Sequence, residues 1–302
     1  MDNGKHAYLI LAHTRPKQIR TLISLLDDPR NDIYIHIDKR ALFKQKELEG
    51  CCVHSTVHFV EPRISVHWGS PSIMRAELAL LKAATATPHA YYHLLSGLDL
   101  PIKTQDEIHA FFDTHPQQEF IQCWPTEKKE TARFTYYTLF PESNEIFPAK
   151  IANKLVKRAM MRVGAKINRD IDFHFSSQWF SITDDFARHI VSQEAWLEKV
   201  FGHTGTPDEV FVATLLWNSP FKDRLFDPAI HLEREEDKRT TLAGNLRLID
   251  WTRGKSVRHP WTFREQDWDL LMASPCLWAR KFDQRLDAAI IERLEKHLSA
   301  AV

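Results

Sequence analysis

Ala7-Tyr8-Leu9-Ile10-Leu11-Ala12-His13 is the stretch from which the rest of the chain is read. It is a near-continuous apolar run closed by a polar residue, as expected of a strand covered on both faces. Thr14 and Arg15 follow, then Pro16 at a first helical position, and the spacing of Ile19, Leu22, Ile23 and Leu26 predicts a helix. Ile33-Tyr34-Ile35-His36-Ile37-Asp38 predicts a second strand, with the isoleucines on one face and Tyr34, His36 and Asp38 on the other. Working outward, a short strand is expected over Val57 to Val60, a helix over Pro71 to Thr87, a strand over Tyr91 to Leu95, a helix over Thr104 to Phe112 and a strand over Glu119 to Cys123. Strands separated by helices imply parallel pairing and a doubly wound α/β sheet. Ligands of such sheets sit beyond the carboxyl ends of the strands, where His13, Asp38 and Asp99 fall.

The second half is less regular. Gln122 to Phe147 reads as a long aromatic and charged loop, and Ala149 to Val163 as a basic amphipathic helix. A strand is expected at Gln178 to Ile182, helices at Asp184 to Glu198 and Pro207 to Trp217, and a strand at Leu246 to Ile249. Helices over Arg264 to Ala273 and Asp283 to Leu298 close the chain, and the charge run Glu233 to Arg239 reads as a solvated loop. With no repeat and no Gly/Ser-rich linker, one domain over residues 1–302 is expected. Within it, 1–125 would form a nucleotide-binding half and 126–302 an acceptor and catalytic half.

Composition narrows the function classes. The 302 residues are 43% hydrophobic and 26% charged, the balance of a folded globular chain. Lys+Arg and Asp+Glu are each 40, so the basic excess of a nucleic-acid binder is missing. No apolar run reaches the ~18–20 residues of a membrane span, and the apolar stretch after His6 is too short for a signal peptide. Four cysteines, two of them adjacent at Cys51 and Cys52, do not make a secreted disulfide framework. The expectation is a cytoplasmic protein whose basic helix Ile151 to Arg162 reads as a plain surface helix ahead of a peripheral contact with anionic lipid of the inner membrane. Nothing in the sequence sets an oligomeric state.

Several segments carry chemistry. Thr206-Pro207-Asp208-Glu209 reads in two ways. It is a capping box with Pro at the first helical position, and the chain holds the pattern again at Thr104-Gln105-Asp106-Glu107. It is also a carboxylate at a helix start, where the dipole keeps a general base ionised. Asp170-Ile171-Asp172 and Asp267-Trp268-Asp269 match the Asp-x-Asp string that holds a divalent ion on a diphosphate, but neither follows a buried strand. Phosphate-binding glycine loops and a Gly-x-Ser-x-Gly elbow are absent from the sequence. Nine tryptophans, among them Trp68, Trp124, Trp179, Trp251 and Trp261, divide between core packing and stacking on sugars.

Taken in order, five segments resemble one family. They are Ala7–His13 with Ile35–Asp38, then Tyr92-His93-Leu94-Leu95-Ser96-Gly97-Leu98-Asp99-Leu100-Pro101-Ile102-Lys103, then Ser177–Ile182, then Thr206–Glu209, and finally Arg258 with Ala279–Asp283. The set is similar to the core-2/I-branching β-1,6-N-acetylglucosaminyltransferases and the related peptide O-xylosyltransferases, glycosyltransferase family 14, from about residue 6 to 285. The resemblance implies a GT-A-like fold, a Rossmann-like mixed sheet flanked by helices. It also implies a UDP-sugar donor (GlcNAc ahead of xylose), a glycan or glycolipid acceptor, inversion of configuration, and no metal or other cofactor. By this match Glu209 is the base, Arg258 and Lys281 hold the donor diphosphate, and His13, Arg15 and Asp38 line the nucleotide end. Asp99, Trp179, Arg247 and Trp251 fall on the sugar and acceptor side. The membrane anchor and disulfides of the animal members are not matched, which suggests a bacterial relative acting in surface polysaccharide synthesis. A carbohydrate-binding protein that keeps the fold without turnover is the alternative.

Overall fold

The computed structural model describes residues 4–143, 146–226, 242–253 and 259–300. The first strand, β1 (His6–Ala12), is buried on both faces, and the helix after it, α1 (Pro16–Leu25), starts on Pro16. Then come β2 (Asn31–Ile37), β3 (Thr56–Phe59), α2 (Pro71–Ala84), β4 (Tyr91–Ser96), β5 (Asp99–Pro101), α3 (Gln105–Asp113) and β6 (Phe120–Ile121). The second half contributes β7 (Trp124–Pro125), α4 (Lys128–Thr131), α5 (Phe147–Arg162), β8 (His174–Phe175) and β9 (Phe180–Thr183). After these run α6 (Asp184–Ser192), α7 (Glu194–Phe201), α8 (Phe211–Trp217), β10 (Arg247–Ile249), α9 (Trp268–Ala273), β11 (Trp278–Arg280) and α10 (Ala289–Ser299).

The main sheet has the order β3-β2-β1-β4-β9-β6. Pairing is parallel across β3, β2, β1 and β4, as the alternation of strands and helices requires. β9 runs antiparallel to both β4 and β6, which makes the sheet mixed, as the family resemblance implies. It arrives from the second half of the chain without a helical crossover from β4, so no handedness rule constrains its direction. The result is a mixed sheet flanked by helices.

Alternation along the strands feeds two cores. Ala7, Leu9, Tyr34, Tyr92 and Leu94 face one side with α2, α6 and α8; Tyr8, Ile10, Ile33, Ile35 and Leu95 face the other with α1, α3 and α10. The isoleucine face read from β2 is therefore the one buried against α1.

Several boundaries differ from the sequence pattern. The helix expected over 184–198 is two, α6 and α7, meeting at Gln193. The one expected from Asp283 starts only at Ala289. Strands β5 and β11, three residues each, are too short to leave a periodic signal, yet with β10 they form a second sheet of order β10-β11-β5. The run Glu233–Arg239 lies outside the described residues.

Candidate active site

Strand order reverses between β1 and β4, because the chain steps from β1 out to β2 and β3 and returns on the other side of β1. The carboxyl ends of those two strands flank the crevice that such a reversal opens. His13 and Arg15 follow β1; Gly97 and Asp99 follow β4. The helix α1 comes so close here that a Cβ on Gly97 would lie 2.6 Å from Ile19 Cγ1, which is why the turn needs glycine.

His13 is exposed at this end. Neighbouring atoms still withdraw enough water from its imidazole to hold its pKa below the ordinary value; Arg280, Arg15 and Arg40 push the same way and Asp38 opposes them. Asp38 is buried, and its Oδ1 accepts from the amides of Arg40 at 2.8 Å and Val66 at 3.4 Å, so it shapes the loop after β2. Arg15 grips Asp283 through two hydrogen bonds of 2.8 Å. That fork ties the end of β1 to the segment after β11 and leaves Arg15 a clamp between elements.

β11 brings the cations. Its register sets Arg280 opposite Asp99 of β5. Arg280 donates to Asp99 Oδ1 at 2.8 Å and to Ser96 Oγ at 2.5 Å, and its guanidinium lies 4.2 Å from the ring centre of Trp179. Lys281, the next residue, is half-buried and bonds to no carboxylate among the described residues. Burial lowers its pKa, Arg280 adds to that, and Asp283 opposes it. Arg280 was not singled out in the sequence; the three-residue strand that aims it has no period to read. Arg258, the other expected diphosphate ligand, lies outside the described residues.

Glu209 sits in a short 3-10 turn, Pro207–Glu209, ahead of α8. The capping box that Thr206-x-x-Glu209 spells is not built. Thr206 is left-handed (φ 49°), its hydroxyl makes no cap, and its amide donates to Gly69 O at 2.8 Å. Thr104-x-x-Glu107 forms the full reciprocal box at the start of α3. The Glu209 carboxylate is 38% exposed and faces Arg133 Nη1 at 3.5 Å. Behind it, Asp208 is buried, and its carboxyl is pushed up to about 7 by loss of solvent and by the charge of Glu209. Glu77 of α2 is fully buried, and loss of solvent with the charge of Asp208 raises its pKa well above the carboxylate range. Its Oε1 accepts from Gln178 Nε2 at 2.8 Å. None of Arg133, Asp208 and Glu77 was expected as a site residue. Their roles come from contacts across 70 to 130 positions of sequence, which no local pattern reports.

One segment joins the acid to the cations. The Ser176 amide donates to Glu209 O at 2.7 Å, and three residues later Trp179 lies under Arg280. Three extended residues reach at most ~10 Å, so one short segment touches the Glu209 backbone at one end and the Arg280 guanidinium at the other.

Three of the four residues expected on the acceptor side are internal. Arg247 is 2% exposed and donates to Phe180 O at 2.6 Å, Leu94 O at 3.2 Å, Ser181 Oγ at 2.8 Å and the carbonyl of Asn245, while stacking on Trp278. Burial lowers its pKa. It is a brace between the two sheets. Asp99 is held by Arg280 and the Ser96 amide, and Trp179 is buried with a face covered by Arg280. Trp251 is 44% exposed and open to a ligand, as is Trp68 at 76%, one residue before the Gly69 that holds Thr206. Of the Asp-x-Asp strings, Asp267 is committed to Arg253, Trp261 and the Arg264 amide, and Asp172 faces His174 at 3.6 Å. Among the described residues no group of three or more His, Cys, Asp or Glu side chains converges as a metal site. No helix among them is long and apolar enough to cross a membrane. A cavity of about 300 Å³ opens at the opposite end of the sheet, lined by His6, His89 and Asp184 among others, and contains none of the expected site residues.

The chain matches the family model described as Core-2/I-Branching enzyme over residues 6–272. It is 27% identical to xylosyltransferase 2 of Rattus norvegicus, over 97% of this chain and 33% of that protein. It is 24% identical to xylosyltransferase 1 of the same species, over 97% of this chain and 35% of that one. The chain thus spans about a third of the length of these curated relatives. Among solved structures, mouse xyloside xylosyltransferase 1 in its apo form aligns with 91% of this chain and 97% of that one, at 13% identity and a TM-score of 0.35.

Proposed function

Because the chain belongs to the Core-2/I-branching enzyme family, we propose that it transfers a sugar from a UDP-sugar to a hydroxyl of a glycan or glycolipid, with inversion and without a divalent ion. Displacement at the anomeric carbon builds positive charge there and negative charge on the leaving diphosphate. Lys281, with Arg258, neutralises the diphosphate by charge-assisted hydrogen bonds in a partly desolvated crevice. These cations take the part a metal ion otherwise plays. Arg280 orients the segment that carries Lys281 through its own bonds to Asp99 and Ser96. Glu209 accepts the proton of the attacking hydroxyl on the face opposite the leaving group, so one displacement inverts the centre. Trp251 and Trp68 are exposed aromatic faces suited to the apolar side of a sugar.

One observation supports this reading: Thr206 makes no side-chain cap and gives its amide to Gly69, and the partly exposed Glu209 carboxylate lies 3.5 Å from Arg133 Nη1.

The experiment is a thermal-shift and turnover panel with UDP-GlcNAc and UDP-xylose, with and without EDTA. The resemblance read from the sequence favours the first donor, and the names of the curated relatives point to the second. Glu209→Gln is expected to lower transfer by ~10²–10⁴-fold while UDP still raises the melting temperature. Lys281→Ala is expected to weaken UDP binding about tenfold or more. Full turnover in Glu209→Gln removes the base, and loss of activity in EDTA restored by manganese removes the metal-free reading. UDP binding with no turnover on any donor, unchanged in Glu209→Gln, favours the binding protein.

A further inference from the structure

The helix α5 (Phe147–Arg162) is almost wholly outside the fold. Asn153 is its buried residue, and Asn153 exchanges hydrogen bonds with the Phe140 backbone at 2.9 and 3.1 Å. Met160 adds one contact, accepting from the Tyr137 amide at 3.4 Å. The opposite face bears exposed apolar side chains: Phe147 is 74% exposed, Ile151 44% and Leu155 58%. Phe147, Ile151 and Leu155 recur every fourth residue and so form one stripe along the helix. Lys150, Lys154, Arg158 and Arg162, at the same spacing, run beside that stripe, and Lys157 flanks it. The helix carries these five cations and no acid; of the chain's 40 basic and 40 acidic residues, 35 basic and all 40 acidic lie outside it. Some surface cations elsewhere are paired, as Arg75 is with Glu142 and Glu198 and Lys82 with Glu194. None of the five on α5 forms an ion pair among the described residues; Lys157 lies 5.6 Å over the Tyr136 ring.

We infer that this face is a docking surface for an anionic phospholipid membrane. The charge complementarity decides the occupant. A second copy would set five cations against five, and a groove-binding peptide would need a concave seat, whereas this ridge is convex. A ridge of Phe, Ile and Leu flanked by Lys and Arg suits immersion at the boundary between headgroups and acyl chains. Each basic residue near an anionic leaflet multiplies the affinity by about fivefold. The helix is carried by residues 133–143, which begin at Arg133 beside Glu209. Docking holds the chain at the surface where lipid-borne acceptors lie, a step that rests on the transfer proposed above.

The test is flotation of the full chain with phosphatidylcholine vesicles, with and without about one-third phosphatidylglycerol. The chain is expected to float with the anionic vesicles only, and less at high salt. Lys154→Glu with Arg158→Glu is expected to weaken this binding at least tenfold, and Ile151→Ser with Leu155→Ser to weaken it at low salt as well. All four side chains are exposed, so melting temperatures stay at the wild-type value. No flotation of the wild type, equal flotation of the variants, or a helix-dependent self-association in place of lipid binding overturns the inference. The assay uses no sugar donor, so its failure is distinct from failure of the proposed transfer.

Discussion

Asp208 stands one residue before the proposed base and is almost cut off from water. Two ionisable side chains bear on it: Glu209 from its own turn and Glu77 from α2. Its folded pKa of about 7 lies above the ~4 of an unfolded aspartate. The folded state therefore holds a proton that the unfolded state releases between those values. Stability is fully present below about pH 4 and falls as pH rises toward 7. Asp208→Asn removes the ionisation and keeps the shape. It is expected to be more favourable at pH 8 than at pH 4.5 by on the order of 2 kcal/mol, read from urea denaturation at the two pH values. An equal effect at both would mean that Asp208 titrates normally. Arg247 shows a different residue-scale lesson. The family resemblance puts it on the acceptor side, but its Nη2 donates to carbonyls of two other strands. Which of forty cations reaches a ligand depends on where the acceptors lie, and the sequence does not list them.

At the scale of elements, one four-residue string has two outcomes. Thr104-x-x-Glu107 caps α3 because Thr104 is extended and its hydroxyl reaches the Glu107 amide at 3.2 Å. In Thr206-x-x-Glu209 the amide of Thr206 is already taken by Gly69, itself left-handed, and the turn stays 3-10. Thr104→Ala is expected to cost about 1 kcal/mol, measured by chemical denaturation. Thr206→Ala loses no cap, and Thr206→Gly is expected to stabilise by up to about 1 kcal/mol by relieving the left-handed backbone. A cost near 1 kcal/mol for Thr206→Ala would show a working cap and restore the structural reading of Glu209. Both sequences satisfy the same local rule, so only the neighbour that competes for the threonine amide separates them.

Over the whole molecule, the crevice is closed by contacts between the chain's two ends. Arg15 and Asp283 are 268 positions apart and less than one-quarter exposed, and their fork fixes the Lys281 segment against the end of β1. Asp283→Asn is expected to cost ~1–3 kcal/mol in stability and to weaken UDP binding several-fold, seen by calorimetry. Unaltered UDP affinity would detach this clamp from the donor site. The order of β1, β2 and β4 and the faces they present were legible, because apolar runs and alternation record burial directly. By itself the sequence determined the α/β class, the strand ends that bear His13, Asp38 and Asp99, and the family to which five ordered motifs belong. Only the tertiary structure decided that β9 joins antiparallel, that Arg280 rather than Arg247 stands at the crevice, and that Glu209 is released from its cap while Glu107 is not. The physical reason is that periodicity encodes which face of an element is buried, whereas competition for a hydrogen-bonding group depends on partners far away in the chain.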